Sequence, residues 1–254
     1  MKMQDKRAAQ QADQERHKAA LQAAKARRQE TDLARPAPAR TERLTILIVC
    51  QGERTEVDYF NHFELATATV KTTAKAYDPE KLVDYARTLR EQAKADGRPY
   101  EQVWCVFDQD DSSAQQVHAA LSRASAINVR VAFSNQAFEY WLLLHFLEHN
   151  GAGLDRKVCT SRLIELVAEA NPAIDYDGFG SKRISRAFFD LLEAAVPVGR
   201  RGQQPRRKVA IGRARKIAAA WKAEGTPPAH QESTTWVYQL VLELQKHLPP
   251  HPSS

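Results

Sequence analysis

Short apolar runs alternate along the chain with segments whose apolar residues recur every three or four positions. Leu44-Thr45-Ile46-Leu47-Ile48-Val49-Cys50 is a near-continuous β-branched run, the pattern of a central parallel strand buried on both faces. It stops at Gln51-Gly52-Glu53. Tyr59, Phe60 and Phe63 then fall at helical spacing, which predicts a helix from about Thr55 with that threonine as its N-cap. A weaker strand is predicted over Thr69 to Ala76. Asp78-Pro79-Glu80 opens the next helix, with Asp as N-cap and Pro in the first turn, and Leu82, Val83, Ala86 and Leu89 share one face of it through Ala95.

The same alternation continues. Gln102 to Phe107 reads as a strand that ends in Asp108-Gln109-Asp110-Asp111, followed by a helix over Ser113 to Ser125. Val129 to Phe133 reads as a further strand ending at Ser134-Asn135. The segment Ala137 to His149 reads as a helix apolar around most of its circumference, and so buried in the core or docked on a partner. Beyond residue 150 the pattern turns helical, over Thr160–Ala170, Arg183–Ala195, Val209–Ala223 and Thr234–His247. Four strand–helix alternations predict an α/β fold, a parallel sheet flanked by helices. The expected organisation is a basic helical or disordered arm over 1–43, an α/β core over 44–150, and a mostly helical region over 151–254 packing on that core. The arm is rich in Ala, Gln, Lys and Arg, lacks an apolar stripe, and ends at Arg35-Pro36-Ala37-Pro38.

Charge sharpens this picture. The chain carries a net +6, but residues 44–197 hold 16 Lys and Arg against 22 Asp and Glu. Residues 1–43 hold 11 basic against 6 acidic residues, and residues 198–216 hold 8 basic residues and no acid. An acidic body between basic segments suits a metal-dependent enzyme acting on nucleic acid, and equally suits solvated polar faces. Within the second segment, Arg200, Arg201, Arg206, Arg207 and Lys208 read as a flexible basic loop able to track a phosphate backbone. No aromatic interleaving points to base stacking. No apolar run reaches membrane-spanning length and the basic N-terminus lacks an apolar leader core, so a cytoplasmic protein with no membrane partner is expected. The three cysteines, Cys50, Cys105 and Cys159, show neither disulfide nor zinc spacing and are expected to act as small hydrophobes.

Candidate chemistry gathers at strand ends. In an open α/β sheet ligands bind beyond the carboxyl ends of the strands. Gln51-Gly52-Glu53 with Glu56, Asp108 with Asp110 and Asp111, and Ser134-Asn135 with Glu139 would all meet along that edge. Asp-X-Asp after a strand offers hard oxygen ligands for Mg²⁺ or Mn²⁺, although loop acids that merely face water give the same signal. No Walker-type phosphate loop, G-x-S-x-G or H-E-x-x-H motif is present. A phosphatase with an aspartate nucleophile after its first strand is disfavoured, because Gln51 stands there. His145 and His149 are spaced for one helix face but lack a third ligand, so packing or surface roles are expected.

These motifs resemble those of RloB-like proteins. Ile46-Leu47-Ile48-Val49-Cys50-Gln51-Gly52-Glu53-Arg54-Thr55-Glu56 resembles that family's opening motif. Val106-Phe107-Asp108-Gln109-Asp110-Asp111 resembles its second, and Ser134-Asn135-Gln136-Ala137-Phe138-Glu139 running on to Phe146 resembles its third. Ser233-Thr234-Thr235 before an apolar helix is also similar. The resemblance, over roughly residues 44–245, implies a Toprim-like (Rossmann-like) nuclease domain linked to restriction and abortive-infection defence, commonly beside a partner ATPase. It implies Glu53, Glu56, Asp108 and Asp110 as catalytic candidates and Glu56, Asp108, Asp110 and Asp111 as metal ligands. Where the family pattern expects an acid at the end of the first strand this chain has Gln51, an amide that can act neither as a carboxylate ligand nor as a base. The resemblance therefore leaves two functions open, a nuclease and a catalytically weakened subunit that binds or regulates the ATPase.

Overall fold

The computed structural model describes residues 15, 16, 18–23, 25, 44–109, 112–135, 137–199 and 202–249. The described residues before position 44 are helical and exposed. The chain separates into two compact units, residues 1–42 and 43–254, so the expected core and the helical region after it lie in one unit. No helix among the described residues is long and apolar enough to cross a membrane.

Five strands form one sheet: β1 Leu44–Cys50, β2 Ala68–Ala74, β3 Gln102–Asp108, β4 Arg130–Asn135 and β7 Thr234–Thr235, in the order β2-β1-β3-β4-β7. The first four are parallel, while β7 runs antiparallel to β4 and pairs Thr235 with Ser134 and Thr234 with Asn135. β5 Ala195–Pro197 and β6 Gln203–Pro205 pair separately as an antiparallel ribbon. The helices are α1 Thr55–Asn61, α2 Pro79–Ala95, α3 Ala114–Ala126, α4 Glu139–Leu143, α5 Arg156–Ala170, α6 Arg186–Glu193, α7 Arg206–Glu224 and α8 Val237–Gln245. A mostly parallel sheet between helices is a Rossmann-like arrangement.

Side chains alternate across the strands, so each strand feeds two cores. Ile46, Ile48, Cys50, Trp104, Val106 and Ala132 face a large core filled by Tyr59, Trp141, Leu163, Phe188, Ile217 and Leu240 from α1 and α4 to α8. Leu47, Val49, Cys105, Phe107 and Phe133 face a smaller one closed by Leu82 and Val83 of α2 and Val117 and Ala120 of α3. Local sequence sets the covering helices. The Asp78 carboxylate accepts from the Lys81 N–H at 3.0 Å, with Pro79 opening α2. Ser113 and Gln116 form a reciprocal capping box at α3.

Several expected elements differ. Arg54, not Thr55, occupies the N-cap position of α1, and the Thr55 hydroxyl donates instead to the Lys182 carbonyl at 3.0 Å. The apolar segment 137–149 holds only the five-residue α4 before breaking into turns. Beyond α4, His149 Nδ1 accepts from the Gly151 N–H at 3.1 Å and meets the Tyr140 hydroxyl at 2.8 Å, which closes a turn. The helix expected from Thr234 begins at Val237, because Thr234 and Thr235 are drawn into the sheet. The expected flexible loop 200–208 is instead ordered over its described part: Gln203–Pro205 is a strand, and Arg206 to Lys208 is the first turn of α7. The three cysteines are buried, as expected.

Candidate functional site

After β1 the chain forms β2 on one side, then crosses to place β3 on the other side of β1. The crevice between β1 and β3 is the switch point where a doubly wound sheet opens for a ligand. A cleft of about 640 Å³ lies there. Gln51, Gly52, Glu53, Glu56, Asp108 and Glu139 line it, together with Tyr77, Asp78, Arg156 and Lys182.

Three of its carboxylates are buried. Asp108 closes β3, and its Oδ2 accepts from the Phe138 N–H at 3.0 Å, so the turn entering α4 fixes its orientation. Glu56 lies in the first turn of α1 and curls back over Gly52, where any Cβ would collide with both of its carboxylate oxygens. Glycine at 52 leaves that space to the Glu56 carboxylate. Glu139 opens α4 and is also buried. Glu53 lines the cleft but is exposed.

The combined field acts on neighbouring groups. Burial raises the Cys50 thiol well above its usual range, with Glu56 and Asp108 adding to the effect. Burial raises Cys159 to about 12, reinforced by Glu139 and opposed by Arg156. Burial likewise raises the Tyr176 phenol, with Glu139 and Glu56 contributing. The floor of the cleft is thus electronegative and lined with oxygen donors, the chemistry a hard divalent cation takes. Among the described residues, no three His, Cys, Asp or Glu side chains form a metal-sized cluster. Asp110 and Asp111, expected beside Asp108, lie outside the described residues.

Gln51 acts as a strap. Its backbone N–H donates to the Val106 carbonyl at 2.9 Å, its Oε1 accepts from the Asp108 N–H at 3.1 Å, and its Nε2 donates to the Tyr77 carbonyl at 3.1 Å. A carboxylate at this position lacks the donor for Tyr77 and would face its carbonyl oxygen instead.

The remaining expected positions separate from the cleft. The Ser134 hydroxyl meets Thr235 Oγ1 at 3.1 Å, and the Asn135 amide donates to the Gln231 carbonyl. Both residues tie β4 to the segment around β7. Arg207 is buried and ion-paired with Glu193, and Arg206 lies 4.9 Å over the Phe146 ring. Lys208 is exposed on α7. Arg200 and Arg201 lie outside the described residues. His145 is buried, its Nδ1 3.0 Å from the Trp141 carbonyl oxygen. Sequence reasoning passed over Arg156 and Lys182, two cations in an acidic cleft, because neither belongs to a charge run. The available signal was the turn-forming Asp177-Gly178-Phe179-Gly180 just before Lys182.

Fold and cleft together define a Rossmann-like α/β protein whose chemistry-bearing side chains gather at the carboxyl edge of a parallel sheet. The chain belongs to the RloB-like protein family, whose family model matches residues 46–244. No curated protein and no solved structure matches the chain.

Proposed function

We propose that this chain is a Mg²⁺- or Mn²⁺-dependent nuclease with a Toprim-like core, acting on DNA or RNA as the effector of a phage-defence system with a partner ATPase. The observation that carries this reading is the gathering of buried Glu56, Asp108 and Glu139, from three successive sheet-edge segments, on one cleft at the switch point. A bound divalent cation supplies charge neutralisation at a phosphoryl group and activation of water. Glu56 and Asp108 are the protein groups best placed to hold it, with Asp110 and Asp111, which follow Asp108 in the sequence, as further candidate ligands. The Phe138 N–H keeps the Asp108 carboxylate oriented, and the Gln51 amide fixes the backbone beneath it. Exposed Lys208 and Arg215 on α7 offer a peripheral contact for the phosphate backbone.

The test is incubation of the chain with tRNA, plasmid and single-stranded DNA in Mn²⁺, with and without the partner ATPase. Cleavage that vanishes in the Asp108→Ala/Asp110→Ala double variant is the expected result. Identical behaviour of the two proteins on every substrate sinks the reading.

One observation favours a second function, a catalytically weakened subunit that binds or regulates the ATPase: Gln51 carries an amide where the family pattern has an acid. Gln51→Glu separates the two. A gain of cleavage marks the natural chain as attenuated, whereas a loss shows that the amide strap serves an active site.

A further inference from the structure

Lys182 is one of two non-glycine residues with positive φ among the described residues, at +53°. For a lysine this conformation is sterically unfavourable, and it persists only where the surroundings over-determine it. They do so here. The Asp177 carboxylate accepts from the N–H groups of Phe179, Gly180 and Ser181 at 3.1, 2.7 and 2.9 Å. Gly178 packs so closely on α5 that a Cβ would meet Thr160 at 2.6 Å. Arg54 donates to the carbonyls of Gly180 and Ser181, and Thr55 to that of Lys182. Asp58 accepts from the Ile184 N–H at 3.1 Å and pairs with Arg183 at 2.6 Å. The segment between α5 and α6 is thus stapled to α1, and it delivers Lys182 to the acidic cleft.

There the Lys182 ammonium lies 3.9 Å from Glu139 Oε1, with about a third of the side chain exposed. At that distance and exposure an ion pair contributes little. It does not account for a left-handed lysine held by so many hydrogen bonds. Arg156, in the first turn of α5, lines the same cleft. Lys182 and Arg156, two of the three cations that line the cleft, give an anion a cationic side above the carboxylate floor. An ammonium point charge and a planar guanidinium match phosphoryl oxygens.

We propose that Lys182 and Arg156 form a phosphoryl-binding site in the cleft, which takes the non-bridging oxygens of a nucleic-acid phosphodiester. The polymer rests on the nuclease reading above; the phosphoryl chemistry does not. Because the floor is negative, binding should require a divalent cation.

The test uses the full chain, inorganic phosphate with and without Mg²⁺ by isothermal titration, and a short labelled oligonucleotide in Ca²⁺ by fluorescence anisotropy. Lys182→Ala should weaken both ligands about tenfold, the loss of one charge-assisted hydrogen bond. It should also lower the salt slope of oligonucleotide binding by about one. Mg²⁺ affinity measured alone should be retained, and Lys182→Arg should restore most of the phosphate binding. Phosphate binding that depends on Lys182 in a chain that cuts no nucleic acid upholds this site and removes the nuclease reading. Cleavage that depends on Asp108, with phosphate and oligonucleotide binding unchanged in Lys182→Ala, does the reverse. A wild-type chain that binds neither ligand overturns the proposal, as does loss of Mg²⁺ affinity in parallel with phosphate affinity.

Discussion

Residues 198–216 carry eight basic residues and no acid, whereas residues 176–184 carry only Lys182 and Arg183 against Asp177. Sequence alone makes the first segment a candidate grip for nucleic acid or a solvated basic loop. In the fold, much of its charge is directed inward. Arg207 is buried against Glu193, Arg206 stacks on Phe146, and Arg213 donates to the Leu144 carbonyl at 2.8 Å. Burial holds Arg206 and Arg213 below the usual guanidinium range. The second segment looks ordinary in sequence, yet it places an ammonium in the acidic cleft. Charge density along a chain and charge at a site are different quantities, and backbone geometry converts one into the other.

Four measurements break or sharpen this contrast. The largest effect is expected for Arg207→Ala, which deprives the half-buried Glu193 of its buried guanidinium and should lower unfolding stability by about 3 kcal/mol in urea titrations. Lys182→Ala should change stability by less than about 0.5 kcal/mol. A reversal of that order would refute the division into structural and functional cations.

Next comes pH. Burial, with help from Arg207 and Arg206, holds His145 neutral at a value of about 3, against 6.5 for the free side chain. The folded value is depressed, so the unfolded chain binds the proton more readily between these two values. The associated stability is fully present above pH 6.5 and is lost as pH falls toward 3. His145→Asn should flatten the stability profile in that window, where one proton is worth at most about 1.4 kcal/mol per pH unit. An unchanged profile would show that burial does not depress His145 in the folded chain.

A smaller shift, of opposite sign, is expected from Lys182→Asn. Asparagine tolerates the left-handed region, so the variant should gain about 0.5–1 kcal/mol while losing phosphate binding. Loss of stability instead would mean that the lysine side chain supports the fold. The smallest effect belongs to Lys208→Ala. It should lower the salt slope of oligonucleotide binding by about one, yet leave the cleavage rate of the bound complex unchanged. Lys182→Ala should reduce both.

Much of the fold was legible because its signals are local. Asp78-Pro79 caps α2 as read, and the apolar run Leu44–Cys50 is the buried strand it looks like. The carboxyl-edge acids followed from strand–helix alternation, and Glu56, Asp108 and Glu139 do meet at one cleft. Non-local events escaped. Thr234 and Thr235 read as the start of a helix, and only pairing with Asn135 and Ser134 makes them a strand. Ser134 and Asn135 looked like site residues because they end a strand, but their side chains bond to that same returning segment. Lys182 was invisible because its role arises from the turn at Asp177 and the contact of its segment with α1. Arg207 misled because a charge that will be buried against Glu193 reads the same, one-dimensionally, as one that will face water.

The pairing of β4 with β7 also bears on synthesis. It joins residues about a hundred positions apart, a loop closure that is slow to form. Until residue 235 has left the ribosome, the outer edge of β4 presents unpaired backbone groups, an invitation to strand-to-strand association between nascent chains. The N–H that orients Asp108 belongs to the segment leaving that same strand. A ribosome-bound intermediate therefore holds the acids of the cleft before the sheet beside them is complete, and assembly of the cleft is tied to completion of the sheet.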